Sequence, residues 1–337
     1  MNLPFVSICT PTFNRRPFIP YAIKCFIHQD YPKDKMEWII VDDGTDPVED
    51  LVISIPQVKY FYSKEKMLLG KKRNYMHSKC KGDIIIYMDD DDYYPVQRVS
   101  HAVKTLLDNP KYLIAGSSEM HIYFDSRKEL FCCGPYKENH ATAATFAFRK
   151  SLLSQTKFDN GDSMSEEASF LKNYTIPLIQ LDTLKTILVF SHKHNSLNKE
   201  KILEKPEQFK VKKSQYTVND YIQDPLLKEF YMITMNDLLT NYSPGMPENK
   251  PEVLRDIKKG EEKREQKLKE LEEKQNLYNM FTNKYSKNNS NNTNTLLIKE
   301  YEKKIEDKNC LINELLKKIK LLTNENNELK NKLDKVT

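Results

Sequence analysis

Up to about residue 200, short apolar runs alternate with amphipathic stretches. PFVSIC (residues 4–9), EWIIVDDG (37–44), VKYFYS (58–63) and GDIIIYM (82–88) are rich in β-branched and aromatic side chains, which predicts strands. Between the first two, apolar positions over residues 17–29 recur with a helical period. Short apolar strands separated by helices imply an α/β fold. Its sheet is mostly parallel, with helices covering both faces.

The pattern changes after residue 200. DPLLKEFYMITMNDLL (224–239) predicts one packed helix that closes the domain, and Pro244, Pro247 and Pro251 punctuate a linker. Residues 251–282 read as a charged helix, with Glu265–Lys269 and Glu270–Lys274 as favourable i,i+4 pairs. The Asn/Ser tract over 283–295 lacks the apolar surface to order itself and reads as a flexible linker. Over 296–337 a heptad emerges. Ile298, Ile305, Ile312, Ile319, Asn326 and Leu333 occupy a; Tyr301, Lys308, Leu315, Leu322, Leu329 and Val336 occupy d. Ile at a, Leu at d and one polar Asn at a favour a parallel two-stranded coil, so a homodimer is expected.

Charge narrows the picture little. A net charge of +5 over 337 residues does not mark a nucleic-acid binder. The six cysteines show no metal-binding spacing, and Cys132 and Cys133 are adjacent, so free thiols in a reducing compartment are expected. His28, His77, His101, His121 and His140 likewise show no informative spacing. The N-terminal residues lack a basic segment followed by an apolar one, and no run reaches membrane-spanning length. A soluble cytoplasmic protein is expected, and the abundance of Asn, Lys and Ile suits an AT-rich genome, viral or protozoan.

Candidate chemistry concentrates where GDIIIYM runs directly into Asp89, Asp90, Asp91 and Asp92. Adjacent carboxylates repel and are costly to bury unpaired. A strand ending this way places them at the carboxyl edge of a parallel sheet, where open α/β folds bind ligands. Hard cations such as Mg²⁺ or Mn²⁺ take one or two carboxylates plus substrate phosphate oxygens. The other reading is a solvated acidic turn.

Four ordered blocks resemble the family 2 glycosyltransferases, whose fold is GT-A. They are SICTPTFNR (7–15), WIIVDDGTD (38–46), LGKKRNYMHSKCKGDIIIYMDDDDYYP (69–95) and SEEASFL (165–171). The likeness spans residues 4–196 and implies a glycosyltransferase domain over 1–200, with a nucleotide-diphosphate sugar as donor, UDP-sugar first. By that resemblance Pro11, Thr12, Asn14, Arg15, Asp42, Asp43, Gly70, Arg73, Asn74, Asp89 and Asp90 contact donor. Of Asp42 and Asp43, one would bind base or ribose while the other caps a turn. Gly70, Arg73 and Asn74 open a helix suited to phosphate, and Lys71 and Lys72 read as solvent-facing. Asp91 is the principal metal ligand, joined by Asp89 and by His194, which is preferred to His192 within LVFSHKHN (188–195). Glu166 and Glu167 are the candidates for the general base. The implied reaction is metal-dependent sugar transfer to an acceptor hydroxyl with inversion. A sugar-nucleotide-binding scaffold without turnover, and a nucleotidyltransferase, are the competing expectations.

Overall fold

The computed structural model describes residues 3–287 together with residue 303. Strands β1 (Val6–Thr12), β2 (Met36–Asp42), β3 (Val58–Tyr62) and β4 (Ile84–Tyr87) form where the apolar runs predict them. They pair in parallel, in the order β3-β2-β1-β4. Three later strands extend the sheet: β5 (Ile114–Gly116), β8 (Ala147–Arg149) and β9 (Ile179–Gln180). β8 lies antiparallel to both β4 and β5, while β9 is parallel to β5. The sheet is thus mixed, mostly parallel and seven-stranded.

Alternation along the strands divides the core in two. Ile8, Trp38, Ile40, Ile84 and Ile86 face one side. There they meet α1 (Ile19–Ile27) and α4 (Arg98–Asp108) through Ile19, Phe26, Val99, Ala102 and Leu106. Cys9, Ile39, Val41, Ile85 and Tyr87 face the other side with Met76 of α3 (Leu69–Lys79). A one-turn helix, α2 (Glu49–Val52), follows β2. Burying both faces explains why these strands read as continuous apolar runs.

A second sheet, which the sequence pattern does not predict, comprises β6 (Met120–Phe124), β7 (Glu129–Cys133), β10 (Leu188–Ser191) and β11 (Val211–Lys213). Its order is β10-β6-β7-β11. Short helices α5 (Glu167–Phe170), α6 (Glu200–Leu203) and α7 (Val218–Tyr221) lie between and after its strands.

The segment predicted as one helix is α8 (Pro225–Glu229), a π-type turn over Phe230–Thr234, and α9 (Met235–Thr240). Asp224 caps it by accepting a 2.9 Å bond from Leu227 N, and Pro225 sits where a helix needs no N–H donor. Leu227, Phe230, Tyr231, Met235 and Leu239 enter the main core.

A compact unit extends to Gly260. The long helix α10 (Pro251–Lys287) begins within it and continues past the expected end at 282. Along it the Glu265–Lys269 pair closes to 3.0 Å at an exposed position. The rest of the Asn/Ser tract and the coiled coil expected over 296–337 lie outside the described residues. No described helix is long and apolar enough to cross a membrane.

Candidate active site

The carboxyl ends of β1, β2 and β4 deliver three loops to one edge of the main sheet. A cleft of about 160 Å³ opens there, between the loops after β1 and β4, the start of α3 and residues 250–253. Seven expected site residues line it: Pro11, Thr12, Arg15, Arg73, Asp89, Asp90 and Asp91.

The acidic loop after β4 is held by its backbone. Tyr94 Oη accepts from Asp89 N at 2.7 Å, and Tyr231 Oη donates to Asp92 O at 2.8 Å. Beneath it, buried Arg98 donates to the carbonyls of Tyr87, Thr145 and Phe146 at 3.1, 2.9 and 2.9 Å. Two arginines then approach the carboxylates. Arg15 Nη2 donates to Asp91 Oδ2 at 3.2 Å, and its Nε lies 3.6 Å from Asp90 Oδ1. Arg73 Nη1 lies 3.6 Å from Asp89 Oδ1, and its Nε donates to Glu166 Oε1 at 2.7 Å.

These partners split the aspartates. Burial alone would raise Asp91, yet Arg15 and His192 hold it well below the usual carboxylate range. Burial, then Asp91, pushes Asp90 up to about 7 and Asp92 well above its ordinary value. Burial also raises Asp89. Asp89 Oδ1, Asp90 Oδ2 and Asp92 Oδ1 are buried and receive no hydrogen bond of normal length. Buried carboxylate oxygens without donors are what a hard divalent cation uses, so Asp89 and Asp90 fit such an ion, with Asp91 held in its charged form beside them.

The two histidines of the expected pair stand in different surroundings. His192 Nε2 lies 3.4 Å from Asp91 Oδ2. His194 stands behind Arg15 instead, its carbonyl accepting from Arg15 Nη2 at 2.9 Å and its ring against Gly245. The two rings part because β10 ends at Ser191 and the chain turns there, with Asn195 N bonded to His192 O at 3.0 Å.

Several expected donor contacts have other partners. Asp42 is the turn cap: it accepts from Gly44 N at 2.8 Å, Val48 N at 3.1 Å and Tyr60 Oη at 2.8 Å. Asp43 accepts from Met67 N at 2.6 Å and pairs with Lys72. Lys72, read from sequence as solvent-facing, is buried, lines the cleft and also donates to Thr12 O at 2.9 Å. Asn74 is committed to the neighbouring loop, bonding Phe158 O at 2.9 Å and Asn160 Oδ1 at 2.8 Å. At Gly70 a Cβ would stand 1.9 Å from Asp159 O, so this glycine serves close packing. Asn14, at φ 53°, knits loops, accepting from Thr45 N at 2.8 Å and donating to Pro244 O at 2.9 Å.

Sequence reasoning missed the far wall of the cleft. Residues 243–250, expected as linker, strap across the first loop. Arg15 Nη1 donates to Gly245 O at 3.3 Å, and Lys250 Nζ reaches Ser196 Oγ at 2.9 Å. Burial, then Arg15, lowers Lys250 to about 7. Lys199 lies among Asp91 and Asp92, and burial lowers it as well. Only the density of lysines hints at these residues. The two glutamates also diverge: Glu166 is buried on Arg73, while burial and then Glu166 raise Glu167 to about 7.

Residues 7–156 match the family described as Glycosyl transferase family 2. This span is a family 2 glycosyltransferase domain. An uncharacterized glycosyltransferase of Haemophilus influenzae is 27% identical over 122 residues, covering 35% of this chain and 48% of that protein. The GalNAc(5)-diNAcBac-PP-undecaprenol beta-1,3-glucosyltransferase of Campylobacter jejuni is 28% identical over 192 residues, 51% of this chain and 60% of that one. The chain therefore spans less than two thirds of either relative. A solved mannosyltransferase from Pyrobaculum calidifontis, in complex with GDP-Man and Mn²⁺, is 16% identical with a TM-score of 0.47, covering 76% of this chain and 74% of that one. Within the family 2 domain lie both acidic strand ends and Arg73; Glu166, Glu167, His192, Lys199 and Lys250 follow it.

Proposed function

We propose that the chain is a metal-dependent glycosyltransferase that moves a sugar from a nucleotide-diphosphate donor, a UDP-sugar first, to an acceptor hydroxyl with inversion. The observation carrying this reading is the pairing of donor-less buried carboxylate oxygens on Asp89 and Asp90 with Arg15, Lys72, Arg73 and Lys250 around one cleft. The family 2 domain and the relatives named as glycosyltransferases support it.

Asp89, Asp90 and Asp91, with His192 beside them, would hold Mn²⁺ or Mg²⁺, which when bound neutralises charge on the departing diphosphate. Arg15, Arg73 and Lys250 line the cleft and supply fixed positive charge that orients the same phosphates. Glu167 takes the proton of the attacking hydroxyl. Its neighbour Glu166 fixes Arg73 and is not free to serve.

Release of nucleoside diphosphate from a panel of nucleotide-sugars, with and without Mn²⁺, tests the reading. Cation-dependent release that is abolished in Asp91→Ala supports it; full activity in that variant removes Asp91 from the mechanism. Binding without release would leave a sugar-nucleotide scaffold, and pyrophosphate formed from a nucleoside triphosphate would mark a nucleotidyltransferase. The reading includes a homodimer through the heptads of residues 298–336, supported by the sequence pattern.

A further inference from the structure

Away from the cleft, the second sheet assembles a cluster that sugar transfer does not use. Register brings it together. In the antiparallel pair β6/β7, His121 stands opposite Cys132, and from the other side Lys212 of β11 stands opposite the same cysteine. Glu119 stands just ahead of β6, two residues before His121, and its side chain reaches the same ring. A Glu119 carboxylate oxygen, a His121 ring nitrogen and Cys132 Sγ lie within 4.8 Å of one another. His121 and Cys132 are 2% and 1% exposed, whereas Glu119 is half-buried and leaves one side open to water.

The histidine is oriented as a ligand would be. Its Nδ1 bonds the hydroxyl of Tyr221, and its Nε2 lies 3.8 Å from Glu119 Oε1. In the tautomer that donates Nδ1–H to Tyr221 Oη, the Nε2 lone pair is left for a ligand on the side of Glu119. Metal-bound histidines are commonly fixed by such an outer hydrogen bond. Lys212 Nζ stands 3.8 Å from Glu119 Oε2 on an exposed side chain that is free to turn into water. Without a cation the thiol keeps its proton, since burial and then Glu119 push Cys132 up to about 12.

We propose that Glu119, His121 and Cys132 bind one zinc-class divalent ion, with water completing a four-coordinate shell. Thiolate, imidazole and carboxylate together select zinc and its borderline neighbours over Mg²⁺ or Mn²⁺, which prefer oxygen alone. Zinc bonds of about 2.0–2.3 Å set ligand atoms roughly 3.5 Å apart, so the three groups need only a small contraction. Binding releases the Cys132 proton to solvent, so affinity rises with pH. The ion would tie the entry of β6 to the end of β7. The site stands independently of the proposed reaction.

Cobalt(II) titrated into the full chain reads the site directly, because thiolate ligation gives a near-ultraviolet charge-transfer absorption. No cysteine lines the cleft, so cobalt held by its aspartates gives none. The expected result is a band saturating at one equivalent and bleached by zinc. The band is lost in Cys132→Ser, and cobalt affinity falls at least about tenfold in Glu119→Gln and in Tyr221→Phe. Circular dichroism confirms that each variant is folded. The proposal is overturned by folded wild-type protein with no band at excess cobalt, by an undiminished band in Cys132→Ser, or by unchanged affinity in the surface variant Glu119→Gln.

Discussion

Glu166 and Glu167 are neighbours with opposite fates, and the difference is a single arginine. Glu166 accepts from Arg73 Nε at 2.7 Å. Glu167 has no such cation, and burial followed by the charge of Glu166 lifts it to about 7. A base must be deprotonated to act, so kcat/KM should rise with pH through about 7 and then flatten. Glu167→Gln should lose about 10²–10⁴ in turnover while donor affinity holds, measured by steady-state kinetics and donor titration. Turnover close to wild type would move the base elsewhere. At this scale the acidic strand end was legible, because four carboxylates after IIIYM cannot be core. Lys72, Lys199 and Lys250 were not. Each sits in a charged stretch that reads as solvated, and its burial is decided by contacts far along the chain, such as Lys72 with Asp43 and Lys250 with Ser196.

Among elements, α3 shows why a pattern can hide a site. Its inward residues include Gly70, Lys72, Arg73 and His77, so the buried side carries more polarity than an ordinary core-facing helix. Gly70 lets the helix approach the 159–162 loop, and Arg73 from the next turn reaches Asp89 and Glu166. Gly70→Ala should therefore destabilise by about 1–3 kcal/mol, read as a lower urea midpoint at constant slope. An unchanged midpoint would mean that the loop yields freely. The four parallel strands were legible as apolar runs bounded by turns. The β6–β7 hairpin was not: its Asp125–Lys128 turn lacks the Asn-Gly or Asp-Gly signal, with Lys128 itself at φ 52°. β8 runs against the direction of its neighbours, which no local pattern encodes.

For the molecule as a whole, the buried carboxylates make stability depend on cation and pH together. A carboxyl group raised in the folded state stabilises fully below its unfolded value and loses that contribution as pH rises through its folded value. Asp90 does so near 7, and Asp89 and Asp92 shift in the same direction. Mg²⁺ or Mn²⁺ should thus raise Tm more at about pH 8 than at about pH 6, by scanning fluorimetry against a chelator control. Equal shifts at both would detach the cation from these aspartates. Truncation after residue 287 should give a monomer by analytical ultracentrifugation that still binds donor; a truncated dimer would place self-association outside the heptads. The strap over 243–250 has one more consequence. Asn14 and Arg15 are anchored to carbonyls some 230 positions away, at Pro244 and Gly245. A fragment trimmed to the family-matched span would fold around an unfinished rim, so engineering, grafting or crystallisation of this domain must carry the chain through Gly260.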